Sequence, residues 1–322
     1  DKLSWENLSL AAEADTESAA AYARRRLNTE LLDYVVGPVC RMFCLAPPEE
    51  VSAVNFLFVV RHFVGVALFN AASGVDFLPR GLARQLDVRL NTTVSAVRET
   101  ADGVEVRYCE QGQAERIERV AGCIVALPAS QAAAIIPELD DVRRELANNI
   151  VYAPAIGVHL GLARRPEEPC AMIQVPAREH PDLVGIVIDH NKAPGRAPPG
   201  KGLISTLWQH SWASRQWLRD DKDIVADAIA GVRQLLPALV ADVECAHVQR
   251  WRFGPDIPHP GVHRAMTRFH TAGRSQSRIR IAGDYMATAS TNASVTSAEK
   301  AARELAAVLG RTVAGDPRRA VR

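Results

Sequence analysis

The sequence predicts a mixed α/β fold, and three observations support this prediction. Of the 322 residues, 48% are hydrophobic, so the chain can bury a large core in one big or two intertwined domains. Alternating apolar residues, as in 150–162, predict strands. Apolar residues at helical spacing, as in 223–236, predict amphipathic helices. Both patterns occur along one chain, as a mixed α/β fold requires.

Residues 1–72 predict helices, the first of which begins at Glu17-Ser18. The segment 51–72 is the most apolar in the chain, but Arg61 and His62 lie at its centre. A charged residue at the middle of a membrane-spanning helix costs about 2.5–3.5 kcal/mol. We therefore expect a buried or tunnel-lining helix here rather than a membrane span.

Strands are predicted next, in 73–128. Residues 88–98 and 104–109 alternate in polarity on either side of Asp102-Gly103, which is typical of a hairpin. The run 122–128 is apolar and bounded by Gly and Pro, which predicts a short strand buried on both faces of a parallel sheet.

Further strands are predicted at 150–162, 183–188 and 202–208, followed by the helix at 223–236. The stretch 195–202 nearly spells a phosphate-binding loop. It lacks the metal-binding Ser or Thr, its two prolines remove N–H donors, and a strand follows it. A surface turn is the better interpretation.

The last predicted unit is a strand, a turn and a helix within 277–309. Ile279 and Ile281 alternate as a strand, Gly283-Asp284 ends it, and a helix is predicted to begin near Asn292 or Ser294. Gly allows a ligand to approach the backbone, Asp accepts hydrogen bonds from ligand hydroxyls, and a helix start attracts electron-rich groups. An electron-rich, flat cofactor would suit this place, although an ordinary strand-to-helix unit has the same pattern.

Ala282-Gly283-Asp284 followed by Asn292-Ala293-Ser294 resembles the C-terminal flavin-binding signature of the flavin amine oxidase superfamily. Where this chain has Asn292-Ala293-Ser294, the family usually has Glu-Gly-Ala. The resemblance implies a split FAD-binding domain, a substrate domain built on a mixed sheet, and a helical cover. It divides the chain into a cover (1–72), part of the FAD domain (73–128), a substrate domain (129–250) and the C-terminal part of the FAD domain (251–322).

The resemblance also implies cofactor-binding residues. Those expected to contact FAD are Val94, Pro128, Trp251, Gly283, Asp284, Asn292, Ala293 and Ser294. Burial as a core aromatic is the alternative for Trp251. No catalytic residue is predicted. FAD is expected to be noncovalent, because monoamine oxidases attach it through a Cys shortly before the signature and this chain has no Cys after Cys245.

The family's G-x-G-x-x-G turn, which opens the helix that holds the pyrophosphate, does not occur in this sequence. We therefore expect an N-terminal βαβ segment to be missing from these 322 residues, and the residues alone to be inactive.

The resemblance implies an FAD-dependent oxidoreductase that transfers a hydride from a substrate C–H to flavin N5. Many amine oxidases have a Lys on a substrate-domain strand, and Ile156 lies near that position here. Residues 289–291 are small where amine oxidases have an aromatic wall. Both departures favour a bulky hydrophobic substrate, as in protoporphyrinogen oxidases or carotenoid desaturases. The alternatives are an amine oxidase, or a noncatalytic or degenerate module that binds an apolar ligand.

Charge and cysteine content exclude other classes. The formal net charge is +1, which gives no electrostatic basis for binding nucleic acid. The six Cys include no CxxC pair and have no metal-type spacing, which indicates a reduced, cytoplasmic protein without a metal site. The expected partner is a small hydrophobic substrate; peripheral membrane contact and oligomeric state stay open.

Overall fold

The protein is described by a computed structural model that covers residues 3, 8–63, 65, 70–272 and 276–311. The chain forms two compact units. Unit 1 comprises Asp1–Asp15, Asp87–Val151 and Gly261–Arg322, and unit 2 comprises Thr16–Leu86 and Tyr152–Pro260. Helices and strands occur in both, so the predicted mixed α/β fold class is confirmed. The division into four segments given above stays a prediction.

Unit 1 has an antiparallel sheet and a parallel strand pair. The antiparallel strands are, in spatial order, Thr92–Glu99, Val104–Glu110 and Arg116–Val120. The parallel pair is Cys123–Val125 and Ile279–Ile281, with Val125 opposite Ile281. The helices of this unit are Leu8–Ala14 and Asp284–Met286, both 3-10, and Ala129–Ile135, Asp141–Asn149, Val262–Ala272 and Thr291–Val308. Buried Val97, Val104, Val125 and Ile279 belong to one core.

Unit 2 is built on a five-stranded sheet. Its strands are, in spatial order, Val243–Trp251, Ala155–Leu162, Gly202–Trp208, Leu183–Ile188 and Met172–Gln174. The helices are Ala19–Arg26, Thr29–Leu31, Leu32–Val36 (π), Gly37–Cys44, Ala53–Phe63, Phe77–Ala83, Asp189–Lys192, His210–Gln216, Asp221–Leu235 and Pro237–Val240 (3-10). The two-residue strand Asp256–Ile257 also belongs to this unit, and the two-residue strand Val151–Tyr152 spans the point at which the chain passes from unit 1 to unit 2.

The five-stranded sheet has one mostly apolar face, which packs into a core. Ile156, Val158 and Leu160 alternate along their strand and are at most 1% exposed. They share a core with Ile204 and with Ile224 of the helix Asp221–Leu235. The period-2 pattern of the sequence therefore places this core as expected.

Several predicted boundaries shift for local reasons. The strand predicted at 150–162 is interrupted before Ala155, because Pro154 has no N–H to donate to a ladder. The C-terminal helix begins at Thr291, because the Ser290 side chain caps it by accepting a hydrogen bond from the Ala293 N–H. The helix predicted within 51–72 spans Ala53–Phe63, and residues 64 and 66–69 lie outside the described part.

The run 122–128, predicted as a strand buried on both faces, is buried on one face and partly exposed on the other. Cys123–Val125 is parallel to its neighbour, as predicted, and Val125 is buried. Ile124 is 37% exposed, because among the described residues the parallel sheet has only two strands. Among the described helices, none is both long and apolar enough to cross a membrane.

Candidate functional site

The turn after the strand Ile279–Ile281 is shaped by a buried tyrosine. The Gly283 N–H donates a hydrogen bond to Ser297 Oγ at 3.1 Å, and the Gly283 backbone is extended. A Cβ at this position would lie 2.7 Å from Tyr285 Cδ1, and Tyr285 is only 2% exposed. Glycine is therefore required here by the tyrosine ring, independently of any ligand.

Asp284 presents a half-buried carboxylate at this turn. Its Oδ1 accepts a hydrogen bond from the Tyr285 N–H at 2.9 Å. Burial raises the pKa of the Asp284 carboxyl above its ordinary value, and backbone hydrogen bonds partly oppose this shift. A charged carboxylate is costly to bury unless it accepts hydrogen bonds. Asp284 is therefore suited to accept hydrogen bonds from a ligand's hydroxyl groups.

The helix Thr291–Val308 begins just beyond this turn. Ser290 Oγ accepts from the Ala293 N–H at 3.1 Å, and the Ser290 carbonyl accepts from the Ser294 N–H at 3.1 Å. The N–H groups of Thr291 and Asn292 have no acceptor within the described part of the chain, because an α-helix provides none for its first turn. With the positive end of the helix dipole, they form a place for an electron-rich group.

The three residues of the predicted signature face different ways at this helix start. Asn292 and Ser294 are exposed, whereas Ala293 is 1% exposed. The methyl group that replaces the family's glycine therefore packs inside unit 1. A flavin fits these groups, since helix N–H donors suit its pyrimidine edge and the Asp284 acceptor suits its ribityl hydroxyls.

Val94 and Pro128 lie in the same unit as this segment. Val94 packs against the core that contains Val97 and Ile279, and it lies at an irregularity in the ladder between its strand and the next. Pro128 is half-buried and directly precedes the helix Ala129–Ile135. Their predicted contact with the cofactor stays a prediction.

A pocket that the sequence did not indicate lies beside the same helix. Arg143, Arg280, Lys300 and Glu304 line it. Lys300 Nζ donates a hydrogen bond to His270 Nδ1 at 2.9 Å. Burial and the neighbouring Lys300 lower the pKa of His270 to about 4, so this imidazole is neutral and accepts. These residues come from four separate elements, so no local motif connects them.

Trp251 belongs to unit 2, where it ends the strand Val243–Trp251 opposite Ala155. It is 44% exposed, so it is not a fully buried core residue. A Cβ on Gly157 would lie 3.1 Å from Trp251 Cζ3, so the indole lies against the bare backbone of Gly157. This residue belongs to the sheet face opposite the apolar core, and its predicted role as a wall stays a prediction.

The same face carries polar side chains that sequence reasoning did not single out. His159 lies between the core residues Val158 and Leu160 in sequence and is half-buried, and His247 is its cross-strand partner. The alternation of the strand was the available signal, since one polar residue among alternating apolar residues must point to the opposite face. Ile156, where the Lys of amine oxidases was sought, points into the core.

Metal chemistry receives no support from the described residues, where no group of three or more His, Cys, Asp or Glu side chains could hold an ion. His263, which follows His259 by four residues in the sequence, is 1% exposed. Burial lowers the pKa of His263, which keeps it neutral.

Comparison with known proteins agrees with the flavin-type geometry. The family model described as "Flavin containing amine oxidoreductase" matches residues 3–306. Putrescine oxidase bound to putrescine has 15% identity and a TM-score of 0.70, over 96% of this chain and 72% of that chain. Cyclohexylamine oxidase from Brevibacterium oxydans IH-35A has 15% identity and a TM-score of 0.67, over 94% and 70%. At this identity the two structures establish the fold, and the match over most of the sequence establishes the family. The chain belongs to the flavin-containing amine oxidoreductases.

Proposed function

We propose that this chain forms part of an FAD-dependent oxidoreductase that removes a hydride from a substrate C–H bond. The observation that carries the proposal is the pairing, on one segment, of the Asp284 acceptor with the N–H donors at the start of the helix Thr291–Val308. When bound, the flavin supplies a hydride acceptor at N5, while the protein supplies position and electrostatics.

Each proposed contact follows from the group that the chain presents. Asp284 would accept hydrogen bonds from the ribityl chain, and Thr291 and Asn292 would donate backbone N–H groups to the pyrimidine edge. Val94 and Pro128 would pack near the adenine. The sequence contains no G-x-G-x-x-G turn, so the proposal expects residues outside these 322 to bind the pyrophosphate.

We propose that the flavin is held noncovalently, because no Cys follows Cys245 in the sequence. Acid precipitation of the flavin-loaded protein should release the flavin into the supernatant. Yellow colour that remains in the washed precipitate would contradict this part of the proposal.

A bulky hydrophobic substrate, of the porphyrinogen or polyene kind, is the proposed substrate class. The strand Ala155–Leu162 has no Lys, and the residue that faces the polar side next to Ile156 is Gly157. A strand without that Lys favours an apolar substrate over an amine. In the same unit, the helix Ala53–Phe63 is mostly apolar and leaves Val60 and Phe63 each 37% exposed.

An amine oxidase is the second candidate. The half-exposed Trp251 indole beside Gly157 could guide an amine, as an aromatic wall does in that branch. The similar solved structures include a putrescine oxidase and a cyclohexylamine oxidase. Their low identity leaves the choice of substrate to experiment.

The experiment is a panel of substrates added without oxygen to the flavin-loaded protein, expressed with any sequence that precedes this chain in its gene. Loss of the flavin absorbance with porphyrinogens or polyenes, but not with amines, is the expected result. Rapid bleaching by primary amines or polyamines alone would replace the first candidate with the second. Bleaching by none of them would contradict the proposed oxidoreductase.

A further inference from the structure

The pocket beside the helix Thr291–Val308 is a cavity within unit 1, to which all its described lining residues belong. Four separate elements contribute the titratable residues of this lining, which are Arg143, His270, Arg280, Lys300 and Glu304. The cavity has a volume of about 50 Å³, which is room for a few water molecules. Its size therefore suits one small, compact ligand.

The charged part of this cavity lies along the side of the helix and not at its N-terminal end. Ser297, Lys300 and Glu304 follow one another at helical spacing, so they lie on one face. Lys300 is nine residues beyond Thr291, which corresponds to about 14 Å along the axis at 1.5 Å per residue. The cluster is therefore separate from the helix start, where the flavin contacts are proposed.

His270 supplies a hydrogen-bond donor to this cavity. The Lys300 ammonium group can only donate, so His270 Nδ1, 2.9 Å from Lys300 Nζ, accepts. The proton of the neutral imidazole then lies on Nε2. His270 Nε2 is buried and has no hydrogen-bond partner within the described part of the chain. Since buried N–H groups almost always have an acceptor, we expect a ligand or water in the cavity to supply it.

The charges around the cavity favour an anion over water. Arg143, Arg280 and Lys300 are cations, and Glu304 is the one carboxylate among the described lining residues. The Arg280 side chain is 7% exposed, and its Nε lies 3.7 Å from Glu304 Oε2. Glu304 is 43% exposed, so water screens its charge. One screened carboxylate leaves the positive charge of this cavity unbalanced.

The buried cations show the cost of this arrangement. Burial lowers the pKa of Arg280 below its ordinary value, Glu304 and Glu99 act in the opposite direction, and Arg143 lowers the pKa further. Burial also lowers the pKa of Lys300, and Glu304 opposes this shift. An anion in the cavity would favour the charged form of both side chains.

We propose that this cavity binds a phosphate group, either as inorganic phosphate or as part of a larger molecule. One phosphate oxygen would accept from His270 Nε2, and others would accept charge-assisted hydrogen bonds from Lys300 and Arg280. The tetrahedral oxygens of phosphate suit donors that come from several elements, whereas a carboxylate has two oxygens in one plane. The site does not depend on the flavin chemistry proposed above.

Binding is tested by titrating sodium phosphate into flavin-free protein that is expressed with any sequence that precedes this chain in its gene. Sodium chloride keeps the ionic strength constant. Calorimetry should show saturable binding, and the unfolding temperature should rise with phosphate, because a ligand of the folded state stabilises it. Tighter binding of phenyl phosphate would identify a larger phosphate ester as the ligand, and weaker binding would identify free phosphate. Binding of neither would overturn the inference.

The charge of Lys300 is tested by substitution. Lys300→Met should weaken phosphate binding about 10- to 100-fold, because it removes a charge-assisted hydrogen bond but keeps an unbranched side chain. The matched control is Arg303→Met, which removes a positive charge from the same helix outside the cavity lining. It should change the affinity less than about threefold, because salt screens an outlying charge. Equal affinities in Lys300→Met and Arg303→Met would overturn the inference.

Glu304 and His270 provide two further readings. Glu304→Gln should tighten phosphate binding, because it removes the carboxylate beside Arg280; weaker binding would contradict the proposed charge balance. The ¹⁵N chemical shifts of the His270 imidazole should report a proton on Nε2, and phosphate should move the Nε2 resonance. An Nδ1–H tautomer, or an Nε2 resonance that saturating phosphate leaves unchanged, would overturn the role of His270.

The same titration on FAD-loaded protein separates the phosphate site from the cofactor. Equal phosphate affinity with and without FAD would support a site of its own. Loss of phosphate binding in the FAD-loaded protein would overturn the inference, because the cavity would then belong to the cofactor site. Failure to bind FAD would instead count against the proposed function, while the phosphate titration would still decide the inference.

Discussion

The five-stranded sheet of unit 2 and the parallel strand pair of unit 1 differ in how well they are buried. The five-stranded sheet of unit 2 has a core in which Val158, Leu160 and Ile204 are fully buried. The parallel pair of unit 1 has two strands of three residues each, and its Ile124 stays 37% exposed. Parallel sheets usually have both faces covered, and two strands alone contribute little stability.

This difference teaches that the two sheets have different sources of order. The polar face that carries His159 lies on a sheet whose other face is a complete core. The Gly283-Asp284 turn follows a short strand whose partner is only three residues long. We therefore expect mutations in the first sheet to affect folding, and the flavin segment to gain order from its ligand.

The largest expected effect is in the core of the five-stranded sheet. Leu160→Ala should lower the free energy of unfolding by about 2–5 kcal/mol, because it leaves a cavity in a closed core. Ile124→Ala, in the parallel pair, should cost less than about 1 kcal/mol. Urea denaturation measures both. Equal losses of unfolding free energy in the two variants would contradict the expected difference in stability between the two sheets.

An intermediate effect is expected at the flavin turn. Gly283→Ala should cost about 1–3 kcal/mol, because the new methyl group would crowd the buried Tyr285 ring. The matched control is Gly81→Ala, in the helix Phe77–Ala83, where a Cβ meets nothing within 4 Å. The control should be stabilising by up to about 1 kcal/mol. Thermal unfolding distinguishes them, and a neutral Gly283→Ala would show that the ring has room to move.

The smallest expected effect concerns the charge of Asp284. Burial raises the pKa of its carboxyl above the ordinary value of 3.8. The neutral form therefore contributes stability below that value, and this contribution is lost as the pH rises through the folded-state pKa. Asp284→Asn retains the acceptor for the Tyr285 N–H and should stabilise the flavin-free protein at pH 7 by less than about 1 kcal/mol. The gain should disappear near pH 3; a gain independent of pH would contradict this origin.

The sequence predicted what depends on local pattern. The strands Leu183–Ile188 and Gly202–Trp208 were predicted with their observed bounds, because alternation and flanking turn residues define them. The helix Val262–Ala272 was missed, because Pro258, Pro260 and Gly261 before it indicated a linker. The strand Arg116–Val120 was missed because its outward residues are charged.

The polar residues of each unit divide in the same way between those a motif identifies and those it does not. The Gly283-Asp284 turn and the helix start are contiguous, so a motif could identify them. His159 and Ser205 lie on adjacent strands and Asp189 begins the helix Asp189–Lys192, so only the fold brings these three hydrogen-bonded side chains together. The need for glycine at 283 arises from Tyr285, whose packing no spacing rule reveals.

The central claim, that the segment at Asp284 binds the flavin, is tested most directly by titrating FAD into flavin-free protein expressed with any sequence that precedes this chain in its gene. Asp284→Ala should weaken binding about 10- to 100-fold, since charge-assisted hydrogen bonds contribute about 1.5–3 kcal/mol. The control is Asp140→Ala, which removes a carboxylate that caps the helix Asp141–Asn149 by accepting from the Arg143 N–H at 2.8 Å. This control should destabilise the protein without changing the FAD affinity of the folded state. Equal FAD affinity in wild type, Asp284→Ala and Asp140→Ala would contradict the account.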